Sequence, residues 1–142
     1  MQATNEVSPE GEISSITVLL AEDEVLLRMM ISDHLRSQGF NVLECANGAE
    51  ARRVMSAIGQ VDVVISDVHM ASRTEGLELA AWLSQNYPSI PVILASGSAS
   101  IAAAEGWKAL PNVTDFVTKP YAVERMEMLA RTRAAGRDAS PK

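Results

Sequence analysis

One cysteine, Cys45, is all that the sequence has, so no internal disulfide can form and no cysteine-based metal site can be built. That usage fits a reducing cytoplasm. Basic residues are in deficit: 12 Lys and Arg against 18 Asp and Glu leave a formal net charge of −6. Such a balance offers no electrostatic footprint for nucleic acid or an anionic lipid surface, so no direct nucleic-acid partner is expected. Long apolar runs are missing too, and there is no secretory h-region, so membrane insertion is not expected. Aromatics are scarce, 4% of 142 residues, although 47% are apolar. The core must therefore be packed with aliphatic side chains, and the length suits one domain.

What is there is regular. Short apolar runs at 16–21, 41–45, 61–66, 91–95 and 113–118 alternate with segments of helical period, as βαβ units in series do. Helix one, about Glu24 to Ser37, repeats Leu27, Met30, Ile31 and Leu35 on one face and stops at Gly39. Helix two starts behind Asn47, a good N-cap, and carries Ala51, Val54, Met55 and Ile58 before Gly59. Helix three follows Gly76, with Leu77, Ala80, Ala81 and Leu83 apolar, and stops before Pro88. An alanine-rich helix is predicted around Ser98 to Trp107, and a last one from about Tyr121 to Ala134. Right-handed crossovers then imply a doubly wound α/β fold with a five-stranded parallel sheet, for which 2-1-3-4-5 is one of two common orders. Residues 1–14, with Glu6, Pro9, Glu10, Gly11 and Glu12, read as a mobile acidic tail. Residues 15–135 read as the domain, and 136–142 as a short tail with no room for an output domain.

The strand ends carry the chemistry. Glu22 and Asp23 close the first run and Asp67 closes the third. In order 2-1-3-4-5 these strands are neighbours at the topological switch point, where ligands bind outside the strand carboxyl ends. Clustered carboxylates resist ionising together unless a cation sits among them, which points to a hard divalent ion such as Mg²⁺. Ser96 ends the fourth run and Lys119 the fifth, adding a hydroxyl and an ammonium to the same edge. A carboxylate beside a divalent cation can act as a nucleophile toward phosphorus, with a lysine and a hydroxyl taking the other phosphoryl oxygens.

At Glu22-Asp23, Asp67, Ser96-Gly97 and Lys119-Pro120, in that order and at those strand ends, the chain resembles the receiver domain of bacterial two-component response regulators, the flavodoxin-like CheY type. The resemblance runs from about Ile16 to Ala134. It implies that Asp67 accepts a phosphoryl group from a histidine kinase or histidine phosphotransfer protein, with Ser96 and Lys119 on the phosphoryl oxygens. It implies Mg²⁺ held by Glu22, Asp23, Asp67 and the backbone carbonyl of His69, and a cis Lys119-Pro120 bond. Output would pass to a protein target through the face of the alanine-rich helix, strand five and the last helix, with Ser96 and Phe116 as the switching pair. Catalysis would be limited to self-phosphorylation and autodephosphorylation, so the chain is not expected to be an enzyme in the ordinary sense.

Departures from the family's pattern lie in the loop after Asp67. Receivers commonly carry Met-Pro and then an acidic residue and glycine; here Met70-Ala71-Ser72-Arg73-Thr74-Glu75-Gly76 has no proline and is one residue longer. Ser96 stands where threonine is commoner, and Phe116 where a switching tyrosine is frequent. A rival reading, a phosphohydrolase working through an aspartyl phosphate, would want an aspartate two residues after Asp67, where His69 stands. A flavodoxin-like carrier would put Glu22-Asp23-Glu24 against a flavin phosphate. A phosphate sink or an adaptor that is never phosphorylated is the remaining alternative. The His69 side chain reads as exposed and inert, with an influence on phosphate lifetime, as the resemblance implies for that position, as the alternative; His34 on the outer face of helix one and the strand residues Asp62 and Asp115 need no functional role. Trp82 reads as half-buried packing and Trp107 as a residue of the output face. Met29, Met30, Met55, Met126 and Met128 read mostly as core fillers.

Overall fold

Aliphatic and β-branched residues crowd the five apolar runs, and each forms a strand: β1 Thr17–Ala21, β2 Asn41–Cys45, β3 Val63–Asp67, β4 Val92–Ser96 and β5 Val113–Thr118. The computed structural model describes residues 15–72, 74–97 and 106–139. Its strands pair in parallel in the order β2-β1-β3-β4-β5, one of the two common orders that the sequence pattern allows. β3 and β4 are buried throughout, as central strands covered on both faces must be.

Among the described residues four helices cover the sheet: α1 Val25–Ser37, α2 Gly48–Ile58, α3 Glu75–Asn86 and α4 Val123–Ala139, with a short 3₁₀ turn at Gly106–Ala109. One face packs Leu19, Val64 and Leu94 against Ala51, Met55, Leu79 and Leu83 of α2 and α3. The other packs Leu20, Ile65 and Ile93 against Ile31, Leu35, Met126 and Ala130 of α1 and α4. α2 begins as expected: the Asn47 side chain accepts the Glu50 N–H at 2.8 Å, and Glu50 accepts the Ala46 N–H at 2.6 Å. Gly39 and Gly59 follow α1 and α2 with φ of +95° and +75°, a backbone that glycine adopts without a Cβ penalty. No helix among the described residues is long and apolar enough to cross a membrane.

Several expectations are corrected. On α1 the buried stripe is Ile31 and Leu35 with Leu27 at its edge, while Met30 is 54% exposed and Met29 is exposed beside it. Positions 27, 31 and 35 stay in line on a helix, and Met30 falls to the flank. Met55 and Met126 are core residues, but Met128 faces solvent, as does Ile58 at the end of α2. On α3 the deepest side chains are Leu79, Ala80 and Leu83, and Leu79 was not among the expected core positions. The helix starts at Glu75, so Gly76 lies inside it. α4 runs on to Ala139, past Ala134 and into the stretch read as a tail. His34 does not stand free on the outer face of α1: its Nε2 lies 2.9 Å from Glu127 Oε1, joining α1 to α4. Trp82 is half-buried, 5.6 Å from the Tyr87 ring and with the Arg52 guanidinium over it. The N-terminal 1–14, residues 98–105 of the alanine-rich helix, Arg73 and the Trp107 side chain lie outside the described residues.

Candidate functional site at the carboxyl edge of the sheet

β1 ends at Ala21 and hands the chain to Glu22, which is only 3% exposed. Its backbone is held from both sides: Glu22 N–H donates to Cys45 O at 3.0 Å, and Arg28 Nη1 donates to Glu22 O at 2.8 Å. Its Oε2 accepts the Glu24 N–H at 3.1 Å, which fixes the turn into α1. Asp23, next along, is exposed. β3 delivers Asp67, 6% exposed, as its last residue. One carboxylate oxygen from each of Glu22, Asp23 and Asp67 falls within 4.8 Å of the others. The three acids thus form a single oxygen-rich cluster of the kind that suits a hard divalent cation.

Lys119, at the end of β5, reaches into the cluster. Its Nζ lies 3.1 Å from Glu22 Oε1 and 3.2 Å from Asp67 Oδ2. Its backbone N–H donates to Ser96 O at 2.9 Å, so the buried Ser96 is tied to the lysine through the β4–β5 ladder. The Lys119–Pro120 peptide is cis. Phe116 sits two residues before Thr118, the partner of Ser96 in the register, so it shares the sheet face of Leu94 and packs half-buried there. It is not part of the charged cluster. His69, two residues beyond Asp67, has its ring Nε2 buried with no hydrogen-bond partner among the described residues.

The electrostatics follow from burial. Desolvation raises the Asp67 carboxyl above its ordinary range, against the opposing pull of the Lys119 ammonium, and Asp23 adds repulsion. Glu22 is raised as well, first by burial and then by Asp67, although the Glu24 N–H and Lys119 oppose this. Burial would lower Lys119, but the Asp67 and Glu22 carboxylates outweigh it and hold the ammonium above its usual value. A single cation cannot neutralise three clustered acids, which leaves the site attractive to a second, more highly charged one.

The sequence reading passed over four residues that shape this edge. Arg28 braces the Glu22 carbonyl while its Nε contacts Glu44 at 3.3 Å. Tyr121 packs beside the cluster, where burial and then the Glu22 and Asp67 charges push its phenol well above the usual range; its place just after Lys119-Pro120 was the available signal. Gly76 meets the end of β3 directly: a Cβ there would collide with Asp67 O and stand 2.6 Å from Val68 Cα. Glu75 joins the loop after Asp67 to α2, and no local pattern of the sequence announces that contact.

Residues 18–131 match the family described as "Response regulator receiver domain". Among curated relatives, the sensor kinase CckA of Brucella abortus is 38% identical over 113 residues, covering 79% of this chain and 12% of the relative. A putative NtrX-like response regulator of Rickettsia felis is 29% identical over 120 residues, covering 84% of this chain and 25% of the relative. The chain therefore spans from about an eighth to a quarter of the length of these relatives. Among solved structures, a response regulator receiver domain protein from Clostridium thermocellum superposes with a TM-score of 0.78 at 19% identity, covering 87% of this chain and 97% of that one. The chemotaxis response regulator CheY4 of Vibrio cholerae superposes with a TM-score of 0.72 at 27% identity, covering 85% and 99%.

Proposed function

Given that the chain belongs to the response regulator receiver family, we propose that it is a phosphorylation-driven signalling switch with Asp67 as phosphoacceptor. The observation that carries this reading is Lys119 Nζ lying between Asp67 and Glu22 within an acidic cluster. A charge-paired lysine can swing its ammonium from carboxylate to phosphoryl oxygen at small cost. The donor is a phosphohistidine of a histidine kinase or histidine phosphotransfer protein. An Asp67 carboxylate oxygen forms a bond to phosphorus as the P–N bond breaks, and the leaving imidazole nitrogen keeps the electron pair and takes up a proton. Mg²⁺, held by Glu22, Asp23, Asp67 and the His69 carbonyl, would supply the charge neutralisation that lets one anion attack another. Lys119 and the Ser96 hydroxyl take phosphoryl oxygens. Later attack of water on phosphorus releases phosphate and returns the carboxylate.

The donor protein needs a surface beside this edge. α1 starts right after the acidic turn and exposes Val25, Leu26 at 76%, Met29 and Met30, an apolar patch suited to docking. The acyl phosphate adds about −1.5 to −2 charges. Drawing Ser96 toward it opens space for the Phe116 ring and biases the face of β5 and α4 toward a state that binds a downstream protein.

Incubation with acetyl phosphate and Mg²⁺ followed by mass spectrometry should add one phosphoryl group to the wild type and none to Asp67→Asn. Equal labelling of both would place the acceptor elsewhere and end this reading. Leu26→Lys should slow transfer from a phosphorylated protein donor at least severalfold while leaving labelling by acetyl phosphate unchanged. A parallel loss with both donors would refute the docking patch.

A further inference from the structure

In the loop after Asp67, Ala71 follows Met70 where receiver loops commonly carry proline. A proline would fix the backbone torsion and remove an N–H; alanine does neither, and its N–H is put to use. Ala71 N–H donates to Glu75 Oε1 at 2.6 Å, while Glu75 Oε2 accepts the Gly48 N–H at 2.7 Å. Gly48 is the first residue of α2, where helix geometry leaves the N–H without an intrahelical partner. One carboxylate thus spends both oxygens on short, charge-assisted bonds that join the phosphoacceptor loop to a helix on the neighbouring unit.

The room for it is made by glycine. A Cβ on Gly48 would stand 2.8 Å from Glu75 Oε2 and 3.0 Å from its Cγ. The ends of the loop are closed separately, by Val68 N–H to Ala95 O at 2.9 Å and Gly76 N–H to Val68 O at 2.8 Å. Of the other described bonds of the tip, Met70 N–H to Ser72 O and Thr74 N–H to Ser72 Oγ are internal to it, and those between Thr74 and Glu78 run on into α3. Among the described hydrogen bonds, those of Glu75 are what tie the tip to α2, and the His69 carbonyl lies in sequence between the Val68 and Ala71 anchor points.

We propose that Glu75 is a positioning residue of the phosphorylation site, holding the His69 carbonyl in place by clamping Ala71 N–H against α2 and so replacing a proline ring with hydrogen bonds. This rests on the receiver reading above and adds a residue to it. The isosteric Glu75→Gln offers one acceptor and an amide that can only donate, so one of the two N–H groups loses its partner. Gly48→Ala is the independent second variant, displacing the carboxylate without touching the loop.

The test compares both variants with the wild type by amide NMR without metal, by Mg²⁺ titration, and by the acetyl phosphate labelling rate at saturating Mg²⁺. In the metal-free protein, the Ala71 or the Gly48 amide of Glu75→Gln, and the Ala71 amide of Gly48→Ala, should shift upfield. The Mg²⁺ dissociation constant should rise about tenfold, as for other groups that orient a metal ligand. Labelling at saturating Mg²⁺ should return to within about twofold of wild type, since the chemistry at Asp67 is intact. A merely structural glutamate would lower the melting temperature and leave the affinity of the folded protein unchanged, and that result overturns the proposal. Mg²⁺ failing to bind the wild type at all would instead overturn the metal reading beneath it, and the proposal with it.

Discussion

Single charges in this protein differ in what they do because their surroundings differ. Asp67 and Asp115 are both aspartates on strands, yet burial among other acids raises the first, whereas the second sits lower than usual. Burial would raise Asp115, but Arg133 donates to it at 2.7 and 3.0 Å and the Thr114 hydroxyl at 2.8 Å, and these outweigh it. A carboxyl depressed in the folded state stabilises the fold above its unfolded value, and that stabilisation is lost as pH falls through the folded value. Asp115→Asn should therefore cost about 1 kcal/mol at pH 7, discounted for the part-exposed Arg133. The gap should narrow as pH falls below the ordinary value of 3.8. Urea unfolding of both proteins between pH 7 and about pH 2 measures it; a gap that widens at low pH would contradict the ion pair as its source.

Elements meet here at distances that their smallest residues permit. α3 can start against the end of β3 because Gly76 has no side chain, and its N–H bonds to Val68 O at 2.8 Å. Gly76→Ala would drive a Cβ into backbone atoms that cannot step aside, and should cost about 1 to 3 kcal/mol or more as overpacking. The damage should also reach the loop after Asp67. Met55 illustrates the opposite case: it is fully buried between α2 and the sheet, so Met55→Ala should cost about 2 to 5 kcal/mol through the cavity left behind without moving Asp67. Chemical denaturation gives both energies, and amide shifts at the β3 end should change only for the glycine variant. Shifts there in Met55→Ala of equal size would show that the helix packing, rather than Gly76, sets the loop.

At the scale of the whole molecule, the parallel sheet gathers the ends of β1, β3, β4 and β5 on one edge. In the proposed switch, Ser96 and Lys119 sense the phosphoryl group and Phe116, on the sheet face of Ser96, relays it. Lys119→Met or Ser96→Ala should leave Mg²⁺ binding near wild type and weaken the amide-shift response to beryllofluoride, which mimics the phosphoryl group. A full response in both variants would remove them from the switch. Phe116 has no hydroxyl, so the relay must be steric and supported by burying ring area at about 25 cal/mol per Å². Structures with and without beryllofluoride should show the ring in two rotamers, and an unchanged ring with phosphorylation-dependent partner binding would refute the coupling.

Periodicity and strand-end residues alone determined the α/β class, a choice of two common strand orders, the helix stops at Gly39 and Gly59, and the candidate set of Glu22, Asp23, Asp67, Ser96 and Lys119. These were legible because alternation, caps and terminal polar residues are local in sequence and the crossover rule leaves few topologies. What only the tertiary structure decided depends on surfaces meeting. Met30 lies at the flank of α1 rather than in the core because the angular position of the contact with the sheet, and not hydrophobicity, selects the buried stripe. His34 pairs with Glu127, 93 positions away. Glu75 reaches Gly48, 27 positions back, through a gap that exists only because both helices start at the same edge. Contacts of that kind have no local pattern, since they are set by where the sheet puts two chain segments that the sequence keeps apart.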